Sequence, residues 1–509
     1  MDERRDCGPF CCEMGDWMRI ALIIPTGGSQ GAQSFYDYAF YSKFLLAKKY
    51  ISCRLAIPTL AALTPAGHEI RVFDENIGEI DYAWGADLAA ISVMTMFAPR
   101  AYEIAGRYRT QGVKTVLGGI HPSLLPDEAL AHSDSVVIGE AEEVWPAVLH
   151  DAQAGRLKRV YQAGKPADLT CSPLPVRTHL ARGRYLSDVV QTTKGCPYRC
   201  EFCCVHAFDG QRIRNKTVAQ VVREIESIQG LGATYKKKKS IFFADDNIIA
   251  NKTFARDLFQ ALKPLNINWM CQASMNIAQE QELLTSMRVS GCGAIFIGFE
   301  SLQADTLDQM HKTVNRRYDY LDVIAKIQAH GMLVQASFIL GSDGEGPSAF
   351  EELIDFIRES RLLAPVFNIL TPFPGTELFA RLEAQGRILH KDWSRYDTKH
   401  VVFTPARMTA EELLDGYRRV SREVYSFSSI LERLHYYWDM GFWKEHNTID
   451  PVRFRYRLLF AIRLCSLLAS RRMERSRFIA RILPRVFDPR VRVSSILALM
   501  AYNDSAYSL

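Results

Sequence analysis

The chain has 509 residues, 48% of them hydrophobic and 23% charged, which is room for a full buried core in roughly two to four domains and excludes a disordered or fibrous protein. Twelve cysteines are scattered rather than framed, with no signal-like opening and no run of about 18 uncharged apolar residues, so the expected setting is a reducing cytoplasm and nothing spans a bilayer. The net charge of +5 is local: residues 451–509 hold twelve Arg and no Lys against Glu474, Asp488 and Asp504, or +9, which leaves the first 450 residues at −4.

Residues 1–17 read as a tail outside the fold or as a start-site artefact, because Arg19-Ile20-Ala21-Leu22-Ile23-Ile24-Pro25 has the look of a first strand. From 18 to 155 short apolar runs alternate with helical patterns. Ile20–Ile24, Glu69–Phe73, Asp87–Val93, Val113–Leu117 and Ser135–Ile138 read as strands of a doubly wound, Rossmann-like parallel sheet, giving an α/β fold class. Ligands of such sheets sit beyond the carboxyl ends of the strands. Three of those ends are informative: Asp74-Glu75-Asn76, Gly118-Gly119-Ile120-His121-Pro122-Ser123 and Gly139-Glu140-Ala141-Glu142. The glycine pair admits a phosphate-bearing tail or a flat macrocycle close to the backbone. Taken alone, this is a generic nucleotide-binding-like domain. Residues 156–185 read as a linker.

Cys196-Pro-Tyr-Arg-Cys200-Glu-Phe-Cys203 follows. Three thiolates ligate three irons of a four-iron cluster and leave one open. Ferredoxin-type clusters close with four cysteines, and structural zinc sites draw pairs from separated segments. Cys204 adjoins the triad and stays outside the ligand set. From 186 to 400 six strand-then-helix units, with strands at Ser187–Thr193, Ser240–Ala244, Asn268–Ala273, Gly293–Phe299, Met332–Leu340 and Pro365–Thr371, read as a partial (β/α)6 barrel. Val218, Val221, Val222, Ile225 and Ile228 form one apolar helix stripe after the cysteines. Strand ends here are polar: Asp245-Asp246-Asn247, Ser274, Glu300-Ser301 and Gly341-Ser342-Asp343.

The triad, with Phe202 immediately before its last Cys, resembles the signature of the radical S-adenosylmethionine (SAM) superfamily. That resemblance implies a [4Fe-4S] cluster on Cys196, Cys200 and Cys203 whose open iron chelates SAM. It places Asp245 and Asp246 where the SAM amino group is recognised, Ser274 near the ribose or carboxylate, and Glu300 near the ribose or methionyl part. Each position also suits a helix N-cap or a turn. Lys194 and Arg199 flank the cysteines, either tempering cluster charge or as solvated loop cations. The Asp74-Glu75-Asn76 end, the loop with Gly118, Gly119 and His121, and the Gly139-Glu140 segment, standing before such a motif, resemble the cobalamin-binding domain fused to one large branch of that superfamily. No His lies in an Asp-x-His-x-x-Gly segment, so the cobalt is expected to lack that lower ligand, and His121 is left as a cobalamin contact or a structural hydrogen-bonder. Phe367–Thr376, Trp393–Asp397 and His400–Phe403 are similar to the downstream part of the same branch.

Residues 401–509 read as helical. Tyr425, Phe427, Tyr436, Tyr437, Trp438, Phe442 and Trp443 either cap an active site over an apolar substrate or pack helices on the barrel. Helices near Phe454–Ser470 and Arg475–Leu483 interleave Arg with Leu, Ile and Phe, as a solvated basic face or as a peripheral membrane contact does. No nucleic-acid module accompanies these arginines.

The resemblance implies a cobalamin-dependent enzyme that methylates an unactivated carbon of a small or apolar molecule using a 5'-deoxyadenosyl radical and methylcobalamin, and the aromatic region and basic tail tilt the substrate towards a lipid, isoprenoid or polycyclic compound. An external electron donor such as flavodoxin or ferredoxin is expected to reduce the cluster. Oxidative cyclisation or rearrangement with the same cofactors is the alternative reaction, distinguished by product mass. A non-catalytic corrinoid sensor is the alternative from another class, distinguished by indifference to Cys200→Ala.

Overall fold

Two six-stranded parallel sheets organise the molecule. The computed structural model describes residues 17–27, 50, 52–181, 183–228, 239–442, 454–468, 473–487 and 493–508. Residues 1–16 of the expected tail and Trp443 lie outside the described residues.

The first sheet comprises β1 (Arg19–Ile24), β2 (Glu69–Asp74), β3 (Leu88–Ser92), β4 (Lys114–Gly118), β5 (Ser135–Ile138) and β6 (Val160–Gln162), in the order β2-β1-β3-β4-β5-β6. Alternate residues of β1 serve opposite faces. Ala21 and Ile23 join one core and Ile20, Leu22 and Ile24 the other, which is why the strand reads as an unbroken apolar run. Strand order reverses between β1 and β3, so the carboxyl ends of β3, β4 and β5 open onto one crevice. β6 lies in the segment read as a linker. It has three residues and buries only Tyr161, too little for a periodic signal.

The second sheet comprises β7 (Asp188–Val190), then, after the two-residue strands β8 (Thr193–Lys194) and β9 (Arg214–Asn215), β10 (Ser240–Phe243), β11 (Asn268–Gln272), β12 (Cys292–Glu300), β13 (Leu333–Leu340) and β14 (Val366–Ile369). Its order, β14-β13-β12-β11-β10-β7, is that of a partial barrel. The strand expected at Ser187–Thr193 is split. Asp245, at the end of β10, accepts the Thr192 N–H at 3.0 Å, the Thr192 hydroxyl at 2.7 Å and the Thr193 N–H. These bonds peel the chain off the sheet into the antiparallel β8–β9 ribbon that carries the cysteine loop. The helix Val218–Ser227 opens with a capping box of Thr217 and Gln220 and buries Val221 and Ile225, as its stripe requires.

The aromatic region after 425 is packing. Tyr425 stacks on Tyr502 with ring centroids 4.8 Å apart, Phe427 lies 4.9 Å from Phe478, and buried Tyr437 accepts from Gln328 at 2.6 Å. These rings pin the C-terminal helices to the barrel. Arg433 is likewise buried and donates to the carbonyls of Leu362 at 2.9 Å, Leu363 at 3.1 Å and Val424. Val424 ends the helix Ala410–Val424, where unpaired carbonyls and the helix dipole favour a cation.

Candidate active site

The cysteine loop leaves β8 through Gly195, whose φ is +90° and whose added Cβ would meet the Arg212 carbonyl oxygen at 2.5 Å. Only glycine fits that approach. Beyond it the loop is clamped by groups far away in sequence. Glu201 is buried, its N–H donates to the Met310 carbonyl at 3.1 Å, and its own carbonyl accepts from Leu378 N–H at 2.9 Å. Arg381 grips the Glu201 carboxylate with two nitrogens, at 2.8 and 3.1 Å, and reaches Asp343 at 2.6 Å. A bidentate guanidinium of this kind holds geometry as well as charge. Neither Glu201 nor Arg381 stood out in the sequence, because 180 residues separate them.

Burial raises the thiols of Cys196, Cys200 and Cys203, and Lys312 opposes that rise at each of them. Among the described residues, no group of three or more His, Cys, Asp or Glu is arranged to hold a metal ion. Three thiols spread around a loop suit a polynuclear cluster, in which each thiolate takes its own iron. Phe202 is half-buried against the main core. Arg199 is 63% exposed and pairs with Glu377 at 2.8 Å, a solvated cation.

Lys312 is the functional candidate that sequence reading missed. Its ammonium is mostly buried and lies 3.0 Å from Glu300 Oε1. Burial alone would depress it, but Glu300 and then Cys200 outweigh that effect and hold it firmly protonated. Glu300 closes β12 at a φ of 66°, a conformation that side chains adopt rarely. Its carboxylate folds back over Gly298, where an added Cβ would stand 2.1 Å from Oε1. The pairing of β12 with β13 shifts register between these two residues, and the carbonyls freed there accept from Asn315 at 2.9 and 3.0 Å and from Tyr320 at 3.0 Å. The strained turn is thus fully supported.

Of the other barrel residues, Asp245 is fully buried in its bonds to Thr192 and Thr193, and so shapes the loop. Those bonds take only Oδ1 of Asp245; its Oδ2, one carboxylate oxygen of Asp246 and one of Asp209 are each buried without a hydrogen-bond partner. Burial first and the neighbouring Asp209 next push Asp246 up to about 7, and burial pushes Asp209 up to about 6. Ser274 is held by Asn247 at 3.0 Å and donates to Asn276 at 2.5 Å.

Glu345 ties the ends of β12 and β13 together. It accepts from Ser301 at 2.6 Å and from the N–H groups of Gly341 at 3.0 Å and Ser342 at 3.4 Å. Burial lifts its carboxyl from 4.5 to about 7. Between those values the folded chain holds a proton that the unfolded chain has released, so stability falls as pH rises through that window. Glu345→Gln keeps an oxygen for both N–H groups and an N–H for Ser301. The expected result is loss of that fall, on the order of 3 kcal/mol in the wild type, in denaturant unfolding at about pH 5 and about pH 8. An unchanged pH slope in the variant would assign the titration elsewhere.

A cavity of about 310 Å³ opens between the first sheet and the barrel, lined by Gly118, Gly119, Gly139 and Glu140 on one side and by Lys194 and Asp209 on the other. Its size falls at the low end of small-molecule sites. Apolar side chains such as Leu60, Ala90 and Val137 form its floor. Gly119, at φ +101°, sits so near the Val93 backbone that a Cβ would meet its oxygen at 2.9 Å. The glycine-lined, apolar crevice has room for part of the corrinoid expected at this sheet.

Glu140 does more than line it. Its carboxylate accepts from Lys194 and Arg214, each at 2.7 Å, and from Ala167 N–H at 2.6 Å. Burial would raise this carboxyl, but Arg214 and Lys194 outweigh it and hold it below the usual range. Glu140 therefore latches the first sheet to the ribbon bearing the cysteines, and Lys194 is consumed in that latch.

His121 and the Asp74 segment do not line the cavity. His121 is completely buried, its Nε2 2.9 Å from the Tyr102 hydroxyl, its ring edge-on to Trp393. Tyr102 and the Trp393 indole both donate to Glu128, at 2.9 and 2.8 Å, so His121 belongs to a structural joint. Asp74 accepts from Tyr185 at 2.8 Å and from Asn76 at 2.7 Å, and Glu75 pairs with Arg100 at 2.7 Å.

Comparison with known proteins fits this arrangement. Residues 55–149 match the B12 binding domain, 190–357 the radical SAM superfamily and 376–507 a domain of unknown function, DUF4070. The chain is 35% identical to bacteriochlorophyllide d C-12(1)-methyltransferase of Chlorobaculum tepidum over 75% of this chain and 85% of that protein. It is 30% identical to hopanoid C-2 methylase of Rhodopseudomonas palustris over 65% of this chain and 64% of that one. Among solved structures, the cobalamin-dependent S-adenosylmethionine radical enzyme OxsB shares the fold with a TM-score of 0.62 at 13% identity, over 97% of this chain and 80% of that one. With a cluster, SAM and cobalamin as its cofactors, this chain belongs to the cobalamin-dependent radical SAM enzymes, in their carbon-methyltransferase branch.

Proposed function

We propose that the enzyme methylates an unreactive carbon of an apolar, polycyclic small molecule. The observation that carries this reading is the joining of the glycine-lined cavity to the base of the cysteine loop through Glu140, Lys194 and Arg214. Two of the relatives are named for bacteriochlorophyllide d and for hopanoids, both extended hydrophobic ring systems, which supports the substrate class.

Bound here, the cluster and SAM supply a carbon-centred radical and the corrinoid a transferable methyl group. The chain's own residues do the positioning. Cys196, Cys200 and Cys203 hold the cluster, and Arg381, through Glu201, sets their loop. Lys312 offers the SAM carboxylate a fixed cation, with Glu300 holding that cation in place. Asp246, carrying an unpartnered carboxylate oxygen, would receive the SAM amino group, and Ser274 would hold the ribose or carboxylate. Asp245 acts one step back by fixing the loop. The glycines Gly118, Gly119 and Gly139 give the corrinoid a surface free of side chains. The electron comes from an external one-electron donor of the flavodoxin or ferredoxin kind.

Anaerobic turnover of the reconstituted enzyme with bacteriochlorophyllide-type and hopanoid-type substrates tests this reading. The expected product is heavier by one methylene per event, with 5'-deoxyadenosine and S-adenosylhomocysteine formed in equal amounts. A product lighter by hydrogen, with no S-adenosylhomocysteine, would replace methylation by oxidative cyclisation.

A further inference from the structure

We propose that the helix Phe454–Leu468 docks the enzyme onto an anionic lipid surface. The inference goes beyond the methyl-transfer reading and does not depend on it.

This helix is apolar on two faces. Arg457, Phe460, Ala461 and Leu464 are buried, with Leu464 at 0% exposure. On the other side Phe454, Leu458 and Ile462, spaced at i, i+4 and i+8, are 67%, 45% and 57% exposed. Leu459 widens the stripe, and Phe487 of the neighbouring turn, itself exposed, lies 5.8 Å from Phe454. A surface helix normally turns its apolar stripe to the core and polar residues to solvent. The contrast with Ala410–Val424 is direct, because that helix buries Leu413, Tyr417 and Val420 and turns Glu411, Asp415 and Arg419 outward. An uncovered apolar stripe therefore needs an occupant.

Charge selects which. Residues 451–509 carry +9 through arginine alone, and Arg477, Arg481 and Arg485, on the helix Met473–Ile482 and the turn after it, are exposed. A second copy of the chain would bring an equal positive field against this one, whereas phosphate headgroups complement it. Guanidinium groups bind phosphate with paired N–H donors. Among the described residues no helix is long and apolar enough to cross a membrane, so this one lies in the interface with its stripe among the acyl chains. Such a site would bring the cavity to where apolar ring compounds dissolve.

Sedimentation of the intact holoenzyme with vesicles tests this. Wild type is expected to bind phosphatidylglycerol-containing vesicles at least tenfold more tightly than phosphatidylcholine vesicles, and to be released by high salt. Ile462→Asp and, separately, the pair Arg477→Glu and Arg481→Glu should each weaken binding about tenfold, while iron content and 5'-deoxyadenosine formation stay at wild-type levels. Salt release needs no variant and guards against a folding defect. Failure of wild type to bind anionic vesicles would overturn the proposal. So would light scattering that shows a dimer dissociated by Ile462→Asp, since the stripe would then be a contact between copies.

Discussion

Changing Cys196, Cys200 and Cys203 together to Ala is expected to take bound iron from about four per chain to background while leaving bound corrinoid unchanged. The separation follows from the architecture. The thiols sit on a loop between β8 and β9, whereas the cavity walls come chiefly from the strand ends of the first sheet. Those walls are joined to the loop's base by the Lys194 and Arg214 side chains, which the substitutions leave in place. All turnover, including cleavage of SAM, should disappear. Iron and sulfide analysis beside the ultraviolet-visible spectrum reads both cofactors at once. Iron retained in the variant would remove the triad as the ligand set. Corrinoid lost together with iron would mean that the two sites do not form independently.

The second large effect is expected at Lys312. Lys312→Ala strips the partner from a carboxylate that is 6% exposed and already held at a strained φ. Breaking a buried pair from one side costs roughly 3–5 kcal/mol, because the remaining charge stays desolvated. The double variant Lys312→Ala with Glu300→Gln removes that orphaned charge and should recover most of the stability, but neither variant should bind SAM at wild-type affinity. The cluster potential should also move to more negative values in Lys312→Ala, since a cation facing the thiolates has gone. Denaturant unfolding, SAM titration and redox titration read these three effects. If the single variant were as stable as wild type, Glu300 would not depend on Lys312 for its charge.

Much of this was legible from residue order, and the legible part shares one physical basis. Strand runs such as Ile20–Ile24 and Ser135–Ile138 announce themselves because a strand buried on both faces is apolar at every position. The cysteine triad is legible because its ligands lie within eight residues. Residue order left open the roles that a distant partner sets. Asp245 and His121 read as cofactor contacts or as structural residues; Thr192 and Thr193 take one oxygen of Asp245, and Tyr102 takes one ring nitrogen of His121. Glu140 lines the cavity as expected, but its charge is taken up by Lys194 and Arg214. The aromatic run after Tyr425 was ambiguous because composition does not say what a ring faces. Its partners, Tyr502 and Phe478, stand some 50 to 80 residues downstream.

The order of residues by itself determined the two parallel sheets, the helix stripes between them and the cysteine triad, because each rests on periodicity or spacing within a short stretch of chain. Only the tertiary structure decided which charged groups remain free for cofactors. Glu201 meets Arg381, Glu140 meets Lys194 and Glu300 meets Lys312. Asp245 and Asp246 each retain an unpartnered oxygen. That outcome depends on burial and on long-range pairing, and neither leaves a local mark in a sequence.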